Sequence, residues 1–218
     1  MTRPGTFLVL LAAVFVAAAC APTGSSSAPG SGLPGSSGAG SSDATGSAAA
    51  CPTSVPAGLP AGEKRIVTIE TAKGKIEITV EANLAPIATA NFVALASCGF
   101  YDGVNFHRLV PGFVIQGGDP NGTGSGGPGY TFEDEPVVGD YVRGAVAMAN
   151  GGPDTNGSQF FIILDDLTGR LDKDYSLFGH VTSGMDVVEA IAAMQNAGPP
   201  NNEAIEPVAM DRVTVSTP

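Results

Sequence analysis

Two stretches concentrate the side chains that could do chemistry. One is Phe106-His-Arg-Leu-Val-Pro-Gly-Phe-Val-Ile-Gln-Gly-Gly-Asp119, the other Met148-Ala-Asn-Gly-Gly-Pro-Asp-Thr-Asn-Gly-Ser-Gln-Phe-Phe-Ile162. Each sets carboxamides beside phenylalanines, and the first adds Arg108, a permanently protonated donor with a rigid fork. Such groups recognise a ligand by hydrogen bonds and apolar contact. Metal chemistry is not indicated: the two histidines and three cysteines form no CxxC, HExxH or Cys/His cluster. No metal and no cofactor are expected. Asp165/Asp166 and Asp172/Asp174 read as solvated turns rather than calcium ligands. The run Gly117–Gly129 lacks lysine and the GK[ST] ending of a phosphate loop, so it reads as a loop flanking the site. Taken singly, each candidate also has a bland reading. Arg108 could form a surface salt bridge, Phe113 and Phe161 could pack in the core, and Asn150, Gln116 and Gln159 could satisfy turn backbone.

Together the two blocks resemble the signature blocks of the cyclophilin family of peptidyl-prolyl cis-trans isomerases. A third, Leu171-Asp-Lys-Asp-Tyr-Ser-Leu-Phe-Gly-His-Val181, is similar to the family's later site segment. Motifs this long, in this order, are specific, and the likeness covers about residues 64–216. It implies an eight-stranded barrel capped by two helices, with the site in a groove on its outer face. By the same resemblance Arg108 matches the catalytic arginine. Phe113, Phe161 and Leu171 match the proline pocket, and Gln116, Ala149, Asn150 and Gln159 the peptide-binding groups. His107 and Tyr175 match neighbours of the site. Val114 stands where many members have Met, and Tyr175 where many have His. Arg170 stands where cyclosporin-sensitive members have Trp, and the chain has no Trp. That departure argues against tight cyclosporin binding, while leaving weaker binding open, and does not touch catalysis.

The implied reaction is rotation about an X–Pro bond in a proline-containing peptide segment. Amide resonance sets a barrier of roughly 18–20 kcal/mol. No bond breaks, so no nucleophile, base or metal is required. Twisting localises the lone pair on the prolyl nitrogen and makes it a better acceptor. A charged donor aimed there binds the twisted state more strongly than either planar state. A pure binding module built on the same fold would not need the arginine.

The elements that must position these groups are mostly short strands. Arg65–Thr71 and Lys75–Val80 alternate with period two around a Lys73-Gly74 turn and read as a hairpin. Pro86–Leu95 reads as a helix begun by Pro86 and stopped by Gly99. Strands are expected at Val104–Leu109, Phe113–Gln116, Ala145–Ala149, Phe160–Leu164, Leu177–Thr182 and Val208–Val215. Ser183-Gly-Met-Asp186 resembles a capping box opening a helix to about Gln195. The fold class expected is mainly β: a closed eight-stranded antiparallel β-barrel capped by two α-helices.

The N-terminal part is read differently. Arg3 followed by the uncharged run Phe7–Ala19 predicts a signal peptide over 1–19, too short to span a membrane. Small residues before Cys20 resemble a bacterial lipobox, so Cys20 is expected to be lipidated and to anchor an exported protein to the outer face of the cell membrane. Ordinary cleavage with an incidental Cys20 is the alternative. Residues 20–62, rich in Ser, Gly, Ala and Pro, read as a flexible linker, and 63–218 as the isomerase domain. In an oxidising compartment the remaining even pair, Cys51 and Cys98, favours a disulfide over two free thiols. The formal net charge of -11 excludes a basic footprint for nucleic acid. A monomer is the default.

Overall fold

The structure is a computed structural model that describes residues 50–218. The signal peptide and the Cys20 anchor expected from the sequence lie outside the described residues. Among the described residues, no helix is long and apolar enough to cross a membrane.

Alternation builds the first hairpin. β1 (Lys64–Thr71) and β2 (Gly74–Glu81) pair from Lys64↔Glu81 to Thr71↔Gly74. Val67, Ile69, Ile76, Ile78 and Val80 point to one side and are fully buried. The helix α1 (Pro86–Ser97) then lies on that side. It has no side-chain cap of its own. Instead the N–H groups of Ile87 and Ala88 donate to the two carboxylate oxygens of Glu135, each at 2.8 Å. Cys98 forms the C-cap of α1 and is bonded to Cys51, which ties the segment preceding β1 to the helix end.

The remaining elements are β3 (Asn105–Val110), β4 (Val114–Gly117), β5 (Ala145–Met148), β6 (Phe160–Ile163), β7 (Leu177–Ser183), α2 (Met185–Ala192), β8 (Glu203–Ala209) and β9 (Arg212–Ser216). All strand pairs are antiparallel, in the order β8-β3-β4-β6-β5-β7-β2-β1-β9. The fold is mainly β with two helices, as expected. The closed eight-stranded barrel is not what is found: the sheet has nine strands and its two edges, β8 and β9, do not pair. The segment expected to be one strand, Val208–Val215, is two. Met210 bonds Val104 and Gly103, next to β3, while Asp211 N–H donates to the Glu70 carbonyl of β1. The chain thus passes from one sheet edge to the other at these two residues. The edges are joined covalently rather than by a ladder.

The capping box at Ser183 does not form either. Gly184 is the N-cap of α2, with φ +85° and no side-chain cap bond. A Cβ there would meet the Lys75 carbonyl oxygen at 2.2 Å, so close approach to β2 requires glycine. The helix also ends at Ala192, short of Gln195.

Two apolar clusters flank the sheet. The larger holds α1, α2 and an aromatic group in which Phe92 lies 5.1 Å from both Tyr101 and Phe160 and 5.0 Å from Phe178. The smaller gathers Val114, Tyr141, Ala147, Phe161, Leu167 and Leu177 among others. Phe160 and Phe161, successive on β6, fall in different clusters because successive side chains point to opposite faces of a sheet.

Candidate active site

Register aligns the key side chains. Arg108 pairs with Gln116 across β3 and β4, Gln116 with Phe161 across β4 and β6, and Phe161 with Ala147 across β6 and β5. Strands lie about 4.8 Å apart, so the guanidinium, a carboxamide and an aromatic ring form one row. The β3 ladder slips between Phe106 and Arg108 on both its edges, leaving His107 as the extra residue of a bulge.

A cavity of about 180 Å³ opens along this row. Of the residues singled out from the sequence, Arg108, Phe113, Gln116, Ala149, Asn150, Phe161, Leu171 and Tyr175 all line it, and Val114 completes its wall. Gln159 does not line this cavity. It borders an adjoining groove of about 660 Å³, which shares Gln116, Ala149 and Asn150 and is walled by the Gly-rich loop. The position expected for that loop is therefore the one observed.

His107 is brought to neither the cavity nor the adjoining groove. It is 7% exposed, neither ring nitrogen has a hydrogen-bond partner among the described residues, and it borders recesses beyond Arg108. Burial lowers its pKa from the ordinary value, and the nearby Asp119 carboxylate, the Asn105 backbone and the Glu203 carboxylate offset this only in part.

Among the described residues Arg108 makes no salt bridge, unlike Arg65, Arg143 and Arg170. Neutral acceptors hold it: Nε donates to the Asn201 carbonyl at 3.2 Å and Nη1 to Gln116 Oε1 at 3.3 Å. Gln116 Nε2 donates in turn to Gln159 Oε1 at 2.9 Å. The amide nitrogen of Asn150 is engaged within the protein, donating to the Asp174 carbonyl and to Asp134. The turn-satisfying reading therefore holds for its side chain.

Sequence reasoning missed Tyr141. Its hydroxyl donates to the Tyr175 carbonyl at 2.6 Å and accepts the Tyr175 N–H at 3.0 Å. Tyr175 is thereby fixed with its ring edge-on to Phe161, 5.4 Å between centroids. Burial pushes the Tyr141 phenol up to about 12, so it stays protonated as a donor. An isolated Tyr amid Gly, Asp and Val gives no pattern that could have flagged it. Among the described residues, no group of three His, Cys, Asp or Glu side chains could hold a metal ion.

A family model described as cyclophilin type peptidyl-prolyl cis-trans isomerase matches residues 66–215. A probable peptidyl-prolyl cis-trans isomerase A of Mycobacterium leprae is 43% identical over 168 residues, covering 68% of this chain and 91% of the relative. A peptidyl-prolyl cis-trans isomerase B of Bacillus subtilis is 49% identical over 114 residues, covering 51% of this chain and 79% of the relative. The crystal structure of a Cryptosporidium parvum cyclophilin type isomerase superposes with a TM-score of 0.65 at 32% identity, over 71% of this chain and 99% of that one. The same protein has been crystallised in the presence of the dipeptide Ala-Pro. The chain belongs to the cyclophilin-type peptidyl-prolyl cis-trans isomerases, and it is an enzyme of that class.

Proposed function

We propose that the cavity along Arg108, Gln116 and Phe161 takes a proline-containing peptide segment and that Arg108 is its catalytic residue. Phe113, Phe161 and Leu171 hold the prolyl ring by apolar contact, with Tyr175 beside them. Gln116 and Gln159, with the backbone at Ala149 and Asn150, fix the flanking chain. The observation that carries the reading is that Arg108 is cationic, has no carboxylate within salt-bridge distance among the described residues, and lies beside an apolar floor. A neutralising partner would compete with the prolyl nitrogen for its N–H groups. The Ala-Pro dipeptide used with the Cryptosporidium relative supports this class of ligand. His107 contacts no peptide in this reading. It belongs to the support behind the arginine.

Three further properties join the proposal. The enzyme acts on exported proteins as they fold. It is anchored through Cys20 to the outer face of the membrane by a tether over 20–62, with the domain at 63–218. It works as a monomer. Arg170, ion-paired with Asp165 at 3.4 Å, offers no indole to a macrocyclic inhibitor, so cyclosporin binds weakly if at all. The isomerisation rate of a proline tetrapeptide with the native enzyme and with Arg108→Ala tests the catalytic reading. Movement of the protein from the membrane to the soluble fraction on Cys20→Ser tests the anchor. An unaltered distribution would remove it.

A further inference from the structure

Asp119 is a buried carboxylate that catalysis as described leaves without a role. It follows β4 and is 1% exposed. Its oxygens accept the N–H of Asn121 at 2.7 Å, of Thr123 at 2.9 Å and of Gly126 at 3.0 Å, together with the Thr123 hydroxyl at 3.3 Å. Burial works against its charge, but these backbone donors outweigh burial and hold the carboxyl below its ordinary range. Asp119 forms none of the salt bridges among the described residues. It staples the Gly-rich loop.

The loop leads back to the arginine. Gly126, whose N–H donates to Asp119, accepts Gln159 Nε2 on its carbonyl at 2.9 Å. Gln159 Oε1 accepts Gln116 Nε2 at 2.9 Å, and Gln116 Oε1 accepts Arg108 Nη1 at 3.3 Å. A guanidinium can only donate and a backbone carbonyl can only accept. With the guanidinium at one end and the Gly126 carbonyl at the other, each carboxamide between them has one permitted orientation. Turning either over would set N–H against N–H or oxygen against oxygen. Gly126 can be nothing larger: a Cβ would meet Asp119 Oδ1 at 1.9 Å and Asn121 Nδ2 at 2.8 Å.

We propose that Asp119 is a positioning residue for Arg108, holding it through the one-way hydrogen-bond chain Arg108–Gln116–Gln159–Gly126–Asp119. The inference rests on Arg108 being the catalytic residue. Asp119 touches no substrate. By holding the Gly126 N–H it fixes where the Gly126 carbonyl sits, and through the two carboxamides anchored on that carbonyl the place where the guanidinium comes to rest.

The test uses Asp119→Ala and Gly126→Ala. The first removes the terminal acceptor, and the second breaks the link without altering charge. Each is expected to lower kcat on a proline tetrapeptide on the order of tenfold, because small misplacement of a reacting group is costly, and to change KM less. The second readout is nuclear magnetic resonance of the Arg108 Nε–H and the Gln116 and Gln159 side-chain amides. These give single sharp signals in the native enzyme and averaged or broadened ones in the variants. A merely structural role would lower the unfolding temperature and leave the kcat of the folded enzyme and these signals unchanged, which would overturn the proposal. If neither variant folds, the native enzyme decides: side-chain amides of Gln116 and Gln159 that average between two orientations would overturn it, and fixed ones support it. Should Arg108→Ala itself keep full turnover, it is the assignment of Arg108 that fails, and the amide signals still report whether the chain exists.

Discussion

Arg108→Ala removes the only cation among the described residues that line the cavity. The guanidinium has five N–H donors. One on Nε is engaged by Asn201 and one on Nη1 by Gln116, which leaves three for a substrate. A charge-assisted hydrogen bond contributes about 1.5–3 kcal/mol. If one such bond forms to the prolyl nitrogen only when the amide is twisted, its loss lowers kcat/KM by about 10- to 150-fold. The fall belongs in kcat, because Phe113, Phe161 and Leu171 still hold the ring in either planar state. Arg108→Lys sharpens the test. Lysine keeps the charge but gathers its donors on one nitrogen, which cannot reach Gln116, Asn201 and the substrate together. Its rate should lie nearer Ala than Arg. The assay is protease-coupled isomerisation of a proline tetrapeptide, with peptide affinity measured separately. A KM that rises while kcat stays unchanged would refute the reasoning, since it would mean that Arg108 binds planar and twisted amides alike. Near-native kcat/KM in both variants would refute it outright.

Two other perturbations follow from buried groups. Glu135→Ala strips the acceptor from the Ile87 and Ala88 N–H groups at the start of α1, leaving buried donors unpaired, and should cost about 1–3 kcal/mol in urea unfolding. A change below about 0.5 kcal/mol would show that water replaces the carboxylate, and kcat/KM of the folded enzyme should not move. His107 is held neutral by burial, so its folded pKa lies below the ordinary 6.5. Below pH 6.5 the unfolded chain therefore binds a proton that the native state refuses, and stability falls with pH at up to about 1.4 kcal/mol per unit until the folded value is reached. Arg108, Asp119 and Glu203 are the charges that act on the ring. His107→Leu should flatten the stability profile below pH 6.5, and an unchanged slope would show that the ring is already protonated in the native state.

Much of this was legible where local chemistry and packing agree. The first hairpin was readable because Val67, Ile69, Ile76 and Ile78 keep strict alternation over a Lys-Gly turn. The cavity residues were readable because they fall in long motifs. The closing segment was not. Val208 and Met210 share one phase and Val213 and Val215 the other, a one-residue slip at Asp211 that marks the passage between sheet edges. A single strand drawn through it overlooks the slip. The helix start at Gly184 misled for a related reason: Ser183 and Asp186 suit a capping box, but contact with the Lys75 carbonyl, distant in sequence, decides the geometry. Tyr141 and Asp119 act through partners brought near by folding, and spacing along the chain cannot display that.

The bulge at His107 shows why the site is built as it is. On a regular strand Phe106 and Arg108, two apart, would face the same side. Phe106 is fully buried against Phe160, so a regular β3 would drive Arg108 toward the core. The extra residue reverses the parity. Leu109, three residues after Phe106 rather than two or four, is the next core side chain, and Arg108 turns outward to the cavity. The cost falls on His107, whose ring nitrogens are buried without partners at roughly 1–3 kcal/mol. Removing one residue from this turn of chain would relieve that burial and restore the ladder. It would also leave Arg108 directly after Phe106, and so still on the outward face, with Leu109 inward. The bulge is therefore what lets Phe106 and Leu109, three residues apart, both face the core while Arg108 between them faces the cavity.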